Sequence, residues 1–271
     1  MSSVEEKLGD AARDGLVEEV LSLLRDNPGL NVNWGDSDQY TALHSASLRG
    51  HVEAAKVLLA HPDINVNCKA SDGETPVLLG CLSGRVPIIR LMLKDPRVDV
   101  TVADNMGCTP LWWVSFWGKH EVVEWLMASG RDLEVIINLK GKGFDGRESI
   151  PLEIARGMGK SEVASLLERF IDNPTQTRRA IRVKLGVLDE QAAEVFALTV
   201  FICDGLLQLK PASSTTTSLP AARFFTIATR LPMELQMILC HRAVGSMRQN
   251  VLHQDSEAAF KSLARLLSFE S

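Results

Sequence analysis

Tyrosine is nearly absent from this chain of 271 residues, which has a single Tyr beside five Trp. Strand-rich proteins draw more heavily on Tyr, Thr and other β-formers, so this composition favours helices. An excess of basic residues is also missing, because 29 Lys and Arg face 34 Asp and Glu, for a formal net charge of −5. Without a basic footprint, the chain is not expected to bind nucleic acid.

Cysteine is scarce and unpaired. The five cysteines are odd in number and widely spaced, with no Cys-x-x-Cys pair and no histidine at metal-ligand spacing. The N-terminus lacks the basic and apolar regions of a secretory signal. We therefore expect reduced thiols, no metal, and a cytoplasmic location, with the nucleus left open.

Long apolar runs are missing as well. The run over residues 192–207 is interrupted by Glu194, Asp204 and Gly205. It is shorter than the ~20 residues that a membrane-spanning helix needs. The sequence therefore predicts a buried helix here and no association with a membrane.

The sequence also lacks catalytic signatures. The chain has no Gly-rich phosphate loop, no His-Glu-x-x-His, no Gly-x-Ser-x-Gly and no kinase signature, and its six histidines are scattered. The sequence therefore predicts a protein that is not an enzyme and that uses no cofactor.

An internal repeat is the strongest signal that is present. Thr41, Thr75 and Thr109 stand 34 residues apart, and each begins a similar apolar segment. A glycine follows nine positions after each of them, at Gly50, Gly84 and Gly118. Self-similarity at a fixed period of this length is typical of stacked repeats.

Degenerate units flank these three. The first surrounds Gly15, and the fifth begins at Ile150, which lies 41 residues after Thr109 rather than 34. Seven extra residues must lie between units four and five, and residues 139–146 are the predicted place for them. Because Gly157 and Gly159 stand so close together, unit five is expected to be a loosened or capping unit.

These residues resemble the ankyrin repeat over about residues 5–170, and most specifically in units two to four. The resemblance implies an all-α solenoid of helix-turn-helix units joined by hairpin loops. Physical chemistry favours the same structure: threonine can cap the first helix, proline fits its first position, and glycine supplies the turn between the helices. We predict a repeat domain over residues 1–170, of about five units.

The resemblance also implies a protein-binding surface, since the family generally uses its hairpin tips and the exposed ends of its first helices as a concave binding face. The matching positions form the candidate partner-binding site: Asp38, Tyr40, Leu48, Arg49, Asp72, Glu74, Leu82, Met106, Cys108, Phe116 and Trp117. A protein partner is therefore expected, which the sequence does not identify, and neither does it set the oligomeric state.

Unit four concentrates aromatic side chains. Trp112, Trp113, Phe116 and Trp117 lie within six residues of one short predicted helix, and Trp125 lies in the next. Aromatic side chains are favoured interface anchors, so Phe116 and Trp117 are candidates to hold a partner. The alternative is that Trp113 and Trp125 belong to the repeat core and that the others pack against unit five or the C-terminal domain.

Beyond Phe170 the repeat pattern stops, and residues 171–271 are predicted to form a separate helical domain. Residues 211–220 are rich in Ser, Thr and Pro without apolar periodicity, which predicts a flexible loop. Predicted helices follow at 221–229, 232–244 and 256–267.

One segment of this domain is similar to the opening Leu-Pro-x-Glu-Leu of an F-box, the helical module that docks ubiquitin-ligase adaptors. The candidate docking residues are Leu231, Pro232, Glu234, Leu235 and Ile238. Residues 240–245 depart from the rest of the F-box pattern, and proline followed by glutamate is also ordinary helix initiation.

Two functional hypotheses follow from these observations. The first is a non-catalytic scaffold or adaptor that binds a partner through the repeats. The alternative is a substrate receptor of a ubiquitin ligase, in which the repeats select the target and residues 231–239 recruit the ligase. The two differ in whether the face of Leu231, Leu235 and Ile238 is available to a partner.

Overall fold

A computed structural model of the chain describes residues 3–203, 224, 228, 233–244, 251 and 255–261. The chain divides into two compact units, residues 1–178 and 179–271. The domain boundary after Phe170 stays a prediction.

The first unit is a two-layered stack of helix pairs. The pairs are α1 (Val4–Asp14) with α2 (Val17–Asp26), α3 (Ala42–Arg49) with α4 (Val52–Leu59), α5 (Pro76–Ser83) with α6 (Val86–Lys94), α7 (Pro110–Trp117) with α8 (His120–Ala128), and α10 (Pro151–Gly157) with α11 (Ser161–Asp172). The first helices pack against one another in the order α1, α3, α5, α7 and α10, and the second helices pack in the order α2, α4, α6, α8 and α11. A short helix, α9 (Leu133–Ile136), precedes the fifth pair. The predicted all-α solenoid is confirmed.

The repeated threonine and glycine set the ends of the first helices. The hydroxyl oxygen of Thr109 accepts a hydrogen bond from the backbone N–H of Trp112 at 3.3 Å, and Thr41 and Thr75 cap their helices in the same way. Gly50 and Gly118 end their helices at φ 87° and 71°. This left-handed conformation favours glycine, and it turns the chain back into the second helix.

The extra residues between units four and five form a short β-hairpin. Strands β1 (Gly141–Lys142) and β2 (Glu148–Ser149) pair antiparallel, with Gly141 opposite Ser149. The hairpin therefore extends three residues beyond the predicted insertion. We refer to residues 141–149 as the long hairpin.

The described residues of the second unit are mostly helical. Helix α12 (Pro174–Lys184) crosses from the first unit, and α13 (Val187–Cys203) packs against α14 (Met233–Ala243). Residues 255–261 are helical too, and Ala259 and Phe260 pack with Ala193 and Ala197 of α13. The predicted loop over residues 211–220 lies outside the described residues. None of the helices in the described part of the chain is both long and apolar enough to span a bilayer.

Candidate protein-binding face

The hairpin tips of units two to five lie side by side in a ladder of backbone hydrogen bonds. Ser71 N–H donates to the carbonyl oxygen of Asp38 at 2.9 Å, and Asn105 N–H donates to that of Asp72 at 3.0 Å. Lys142 N–H, in the long hairpin, continues the ladder to the carbonyl oxygen of Met106 at 3.0 Å. Tip residues that are 33 to 36 positions apart in sequence therefore become neighbours.

Two aspartates that sequence reasoning did not single out hold these tips in shape. Oδ1 of Asp36 accepts hydrogen bonds from the backbone N–H groups of Asp38 and Tyr40. Oδ1 of Asp104 does the same for Met106 and Cys108, both at 2.9 Å. An aspartate that bonds to backbone N–H groups a few residues ahead is a known turn former. The signal was therefore in the sequence, as an Asp five residues before Thr41 and Thr109.

Three acids of the tips, two of them exposed and Glu74 half-buried, surround Tyr40. The hydroxyl of Tyr40 donates to Oε2 of Glu74 at 2.8 Å, across two neighbouring tips. Burial raises the pKa of Tyr40, and the negative charges of Glu74, Asp72 and Asp38 raise it further. We call Asp38, Asp72 and Glu74 the acidic row.

The same negative environment affects the pKa of Glu74. Burial raises its pKa, the hydrogen bond from Tyr40 lowers it, and the charges of Asp72 and Asp104 raise it again. Within the described residues, no basic side chain forms an ion pair with a member of the acidic row. In the described part of the chain, the carboxylates of the row therefore have no basic side chain in direct contact.

Two of the four unit-four aromatics belong to the core. Trp112 is fully buried, and its Nε1–H donates to the carbonyl oxygen of Ser149 in the long hairpin at 2.8 Å. Trp113 is buried as well, and its Nε1–H donates to Oδ2 of Asp104 at 2.7 Å. Their polar atoms are satisfied inside the protein, so neither residue is offered to a partner.

The other two aromatics reach the surface. The ring of Phe116 stacks on Trp112 at a centroid distance of 5.6 Å and an interplanar angle of 15°, and it is half-buried. Trp117 meets the Phe116 ring edge-on at 5.0 Å and is 50% exposed. The layer formed by the first helices thus has an exposed indole at the end of α7.

Phe144, at the tip of the long hairpin, joins this pair. Its ring lies 5.4 Å from Trp113 and 5.8 Å from Phe116, yet the residue is 70% exposed. We call Phe116, Trp117 and Phe144 the aromatic patch. Sequence reasoning placed Phe144 in the insertion but not in the site. A lone aromatic in a Gly- and Lys-rich segment was the available signal.

The remaining predicted residues lie next to this patch or on α3, which α5 separates from α7. Leu82 and Met106 are partly buried and pack against the Trp112–Trp113 cluster. Leu48 and Arg49 are exposed at the end of α3. All four positions belong to units two to four, between the acidic row and the aromatic patch in repeat order.

Cys108 is not on the candidate binding face, although its place at a hairpin tip had predicted that it would be. The long hairpin covers it: its Sγ lies 3.6 Å from the carbonyl oxygen of Lys142, and the residue is fully buried. Burial raises the pKa of its thiol to about 12. The extra length of the fourth hairpin, which the other units lack, explains the difference.

The F-box-like residues are described only in part. Leu231 and Pro232 lie outside the described residues, and Glu234 lies in α14. Leu235 is 47% exposed and Ile238 is half-buried.

Comparison with known families identifies the repeats. A family model described as ankyrin repeats in three copies matches residues 60–137, and a second, described as ankyrin repeats in many copies, matches residues 23–79. Residues 23–137 are ankyrin repeats. No curated protein matches the chain. Ankyrin repeats generally mediate protein–protein interaction and are typically non-enzymatic modules. Within the described residues, no group of His, Cys, Asp and Glu could hold a metal ion.

Proposed function

We propose that this protein is a non-catalytic scaffold or adaptor that binds a protein partner across the face formed by the acidic row and the aromatic patch. The observation that carries the proposal is the aromatic patch, in which Trp117 and Phe144 stay half or more exposed. Contiguous exposed apolar surface on a soluble chain marks an interaction site more often than isolated apolar residues do.

The size of these side chains makes them suitable anchors. Each aromatic side chain can bury about 150–250 Å². Truncation of an interface anchor of this kind typically costs about 2 kcal/mol or more of binding free energy. Phe116 and Trp117 would be the energetic centre, and Leu48, Arg49, Leu82 and Met106 would form the surrounding contacts.

The backbone ladder supports a rigid face rather than an adaptable one. Each tip from unit two to the long hairpin is hydrogen-bonded to the next. The Asp104 carboxylate also links the tip of unit four to the indole of Trp113. A preorganised face loses less conformational entropy when a partner binds, which favours affinity.

Affinity capture followed by mass spectrometry tests this function. We expect the full chain to retain a partner that the double variant Phe116→Ala/Trp117→Ala loses. The matched control is Ile171→Ala, because Ile171 is an exposed apolar residue of α11, in the other helix layer. Circular dichroism must show that all three proteins are folded. If the control loses the same partners, or if the double variant loses none, the proposed face is wrong.

A second candidate function is the ubiquitin-ligase substrate receptor. The observation that favours it is the exposure of Met233 and Leu235 in the first turn of α14, where the F-box-like segment needs a free apolar face. Leu235→Asp should then remove ligase subunits from the captured set and leave partners of the repeats in place. Ala243→Asp, an exposed position of the same helix, is the control for the added charge. If no ligase subunits are captured with the wild-type chain, this candidate fails.

A further inference from the structure

We propose that the partner segment bound by this face is basic, with Lys or Arg side chains over the acidic row and one apolar or aromatic anchor in the aromatic patch. This inference rests on the proposed function and adds the chemical class of the partner. It starts from the hairpin tips that connect the two surfaces. Asn105 N–H donates to the carbonyl oxygen of Asp72 in the acidic row. The carbonyl oxygen of the next residue, Met106, accepts from Lys142 N–H in the long hairpin, which carries Phe144 of the aromatic patch.

Charge complementarity sets the sign of the partner. Asp38 and Asp72 are exposed, and the Glu74 carboxylate accepts a hydrogen bond from Tyr40. Lys69, which directly precedes the tip of unit three, donates its ammonium group to the carbonyl oxygen of Ala103 at 2.7 Å rather than to a member of the row. An incoming cation would therefore meet carboxylates that have no ion pair among the described residues, whereas an acidic segment would meet like charge.

The distribution of cations sets the direction of the segment. Lys142, Asp145 and Arg147, all exposed, lie in the long hairpin with Phe144. Arg49 is exposed at the end of α3 that is farther from the tips. The negative part of the face is thus at the tips of units two and three, and the hairpin end is mixed. Basic side chains of the partner are expected on the side of the anchor that faces unit three.

Repeat geometry sets the spacing. Neighbouring packed helices lie about 8–10 Å apart. An extended chain advances about 3.3 Å per residue. One repeat therefore corresponds to about three residues of an extended partner. Trp117 also lies at the end of α7 farther from the tips, about 12 Å along the helix from Thr109. With the anchor at Trp117, basic residues are therefore expected about five residues away, over Asp72 and Glu74, and about seven residues away, over Asp38.

Selection of random peptides displayed on phage against the full-length chain tests the inference. We expect the selected peptides to share an apolar or aromatic residue with Lys or Arg at the spacings above. Synthetic copies should bind the variant Asp38→Asn/Asp72→Asn about three- to tenfold more weakly, with a shallower salt dependence, because exposed charge pairs contribute modestly and are screened. The control Asp63→Asn/Glu121→Gln removes two exposed carboxylates elsewhere and should not change binding.

The outcomes separate this inference from the proposed function. Peptides that need Phe116 and Trp117 but carry no excess of Lys or Arg would overturn the basic partner and leave the binding face intact. Peptides whose affinity is unchanged in Phe116→Ala/Trp117→Ala would overturn both. The same holds for a selection that yields no binding peptide.

Discussion

The second and fourth repeats share one backbone but differ in how they connect to the next unit. In unit two, Nδ1 of His44 accepts from the N–H of Thr41, so Nε2–H donates to the carbonyl oxygen of Glu74 at 3.1 Å. In unit four the matching residue is Trp112, whose Nε1–H donates to the carbonyl oxygen of Ser149 at 2.8 Å. Glu74 and Ser149 both stand directly before the first residue of the following repeat.

This comparison teaches that the tryptophan keeps the role of the histidine while adding buried area. A histidine donor reaches across an ordinary hairpin, but the fourth connection is seven residues longer. The larger indole fills the space under the long hairpin and still donates one hydrogen bond to it. Tryptophan in place of histidine therefore fits the longer connection. The exposed aromatic patch packs on this buried tryptophan.

The largest expected effect comes from breaking the fourth connection. Trp112→Ala removes a fully buried indole and its hydrogen bond to Ser149, and such core truncations cost about 3–5 kcal/mol of unfolding free energy. Trp117→Ala, on the exposed side of the same helix, should cost less than about 1 kcal/mol. Urea unfolding followed by circular dichroism measures both. Equal losses would show that the buried position has no special role.

A smaller difference in unfolding free energy is expected between alanine substitutions at two glycines, Gly141 and Gly157. A Cβ on Gly141 would lie 2.6 Å from Sγ of Cys108 and 3.0 Å from its Cα, where the long hairpin crosses the repeat. Gly141→Ala is therefore expected to cost about 1–3 kcal/mol. Gly157 in α10 has nothing within 4 Å of that position, so Gly157→Ala should stabilise the chain by up to about 1 kcal/mol.

The opposite signs make this pair informative. Both substitutions add one methyl group, so unfolding midpoints in urea compare packing directly. If both variants are stabilised, the hairpin does not press on Cys108 as the structure shows.

The repeats were predictable because their signal is local and periodic. Thr41, Thr75 and Thr109 with their glycines fix where each helix begins and ends, and local capping chemistry alone determines those positions. The ankyrin fold of residues 23–137 followed from that pattern and is confirmed. The candidate binding face stays a prediction that its geometry makes more specific.

The features that the sequence could not predict all depend on the path of the long hairpin. The spacing showed seven extra residues but not that they fold back over the repeat, bury Cys108 and bring Phe144 onto Phe116. These are contacts between distant residues, and local pattern does not encode them. The core roles of Trp112 and Trp113 depend on the same loop and on Asp104, so sequence alone left core and interface as alternatives.

The smallest expected effect concerns the connection between units two and three. The residue that makes this connection, His44, can change its protonation state. Burial lowers the pKa of His44, and its hydrogen bonds to backbone oxygens offset this only in part. The folded state thus disfavours the protonated form. The contribution of His44 to stability is present above its unfolded pKa of about 6.5 and is lost as the pH falls below that value.

His44→Leu tests this, because Leu78 occupies the matching position in unit three and the fold accommodates leucine there. The variant should be less stable by about 1–2 kcal/mol at about pH 8, since two buried hydrogen bonds are lost. The difference from the wild type should shrink as the pH approaches about 5, where protonation weakens the wild type alone. Thermal or urea unfolding across this range measures it. A difference that stays constant would mean that the histidine connection, like the tryptophan connection of unit four, is insensitive to pH.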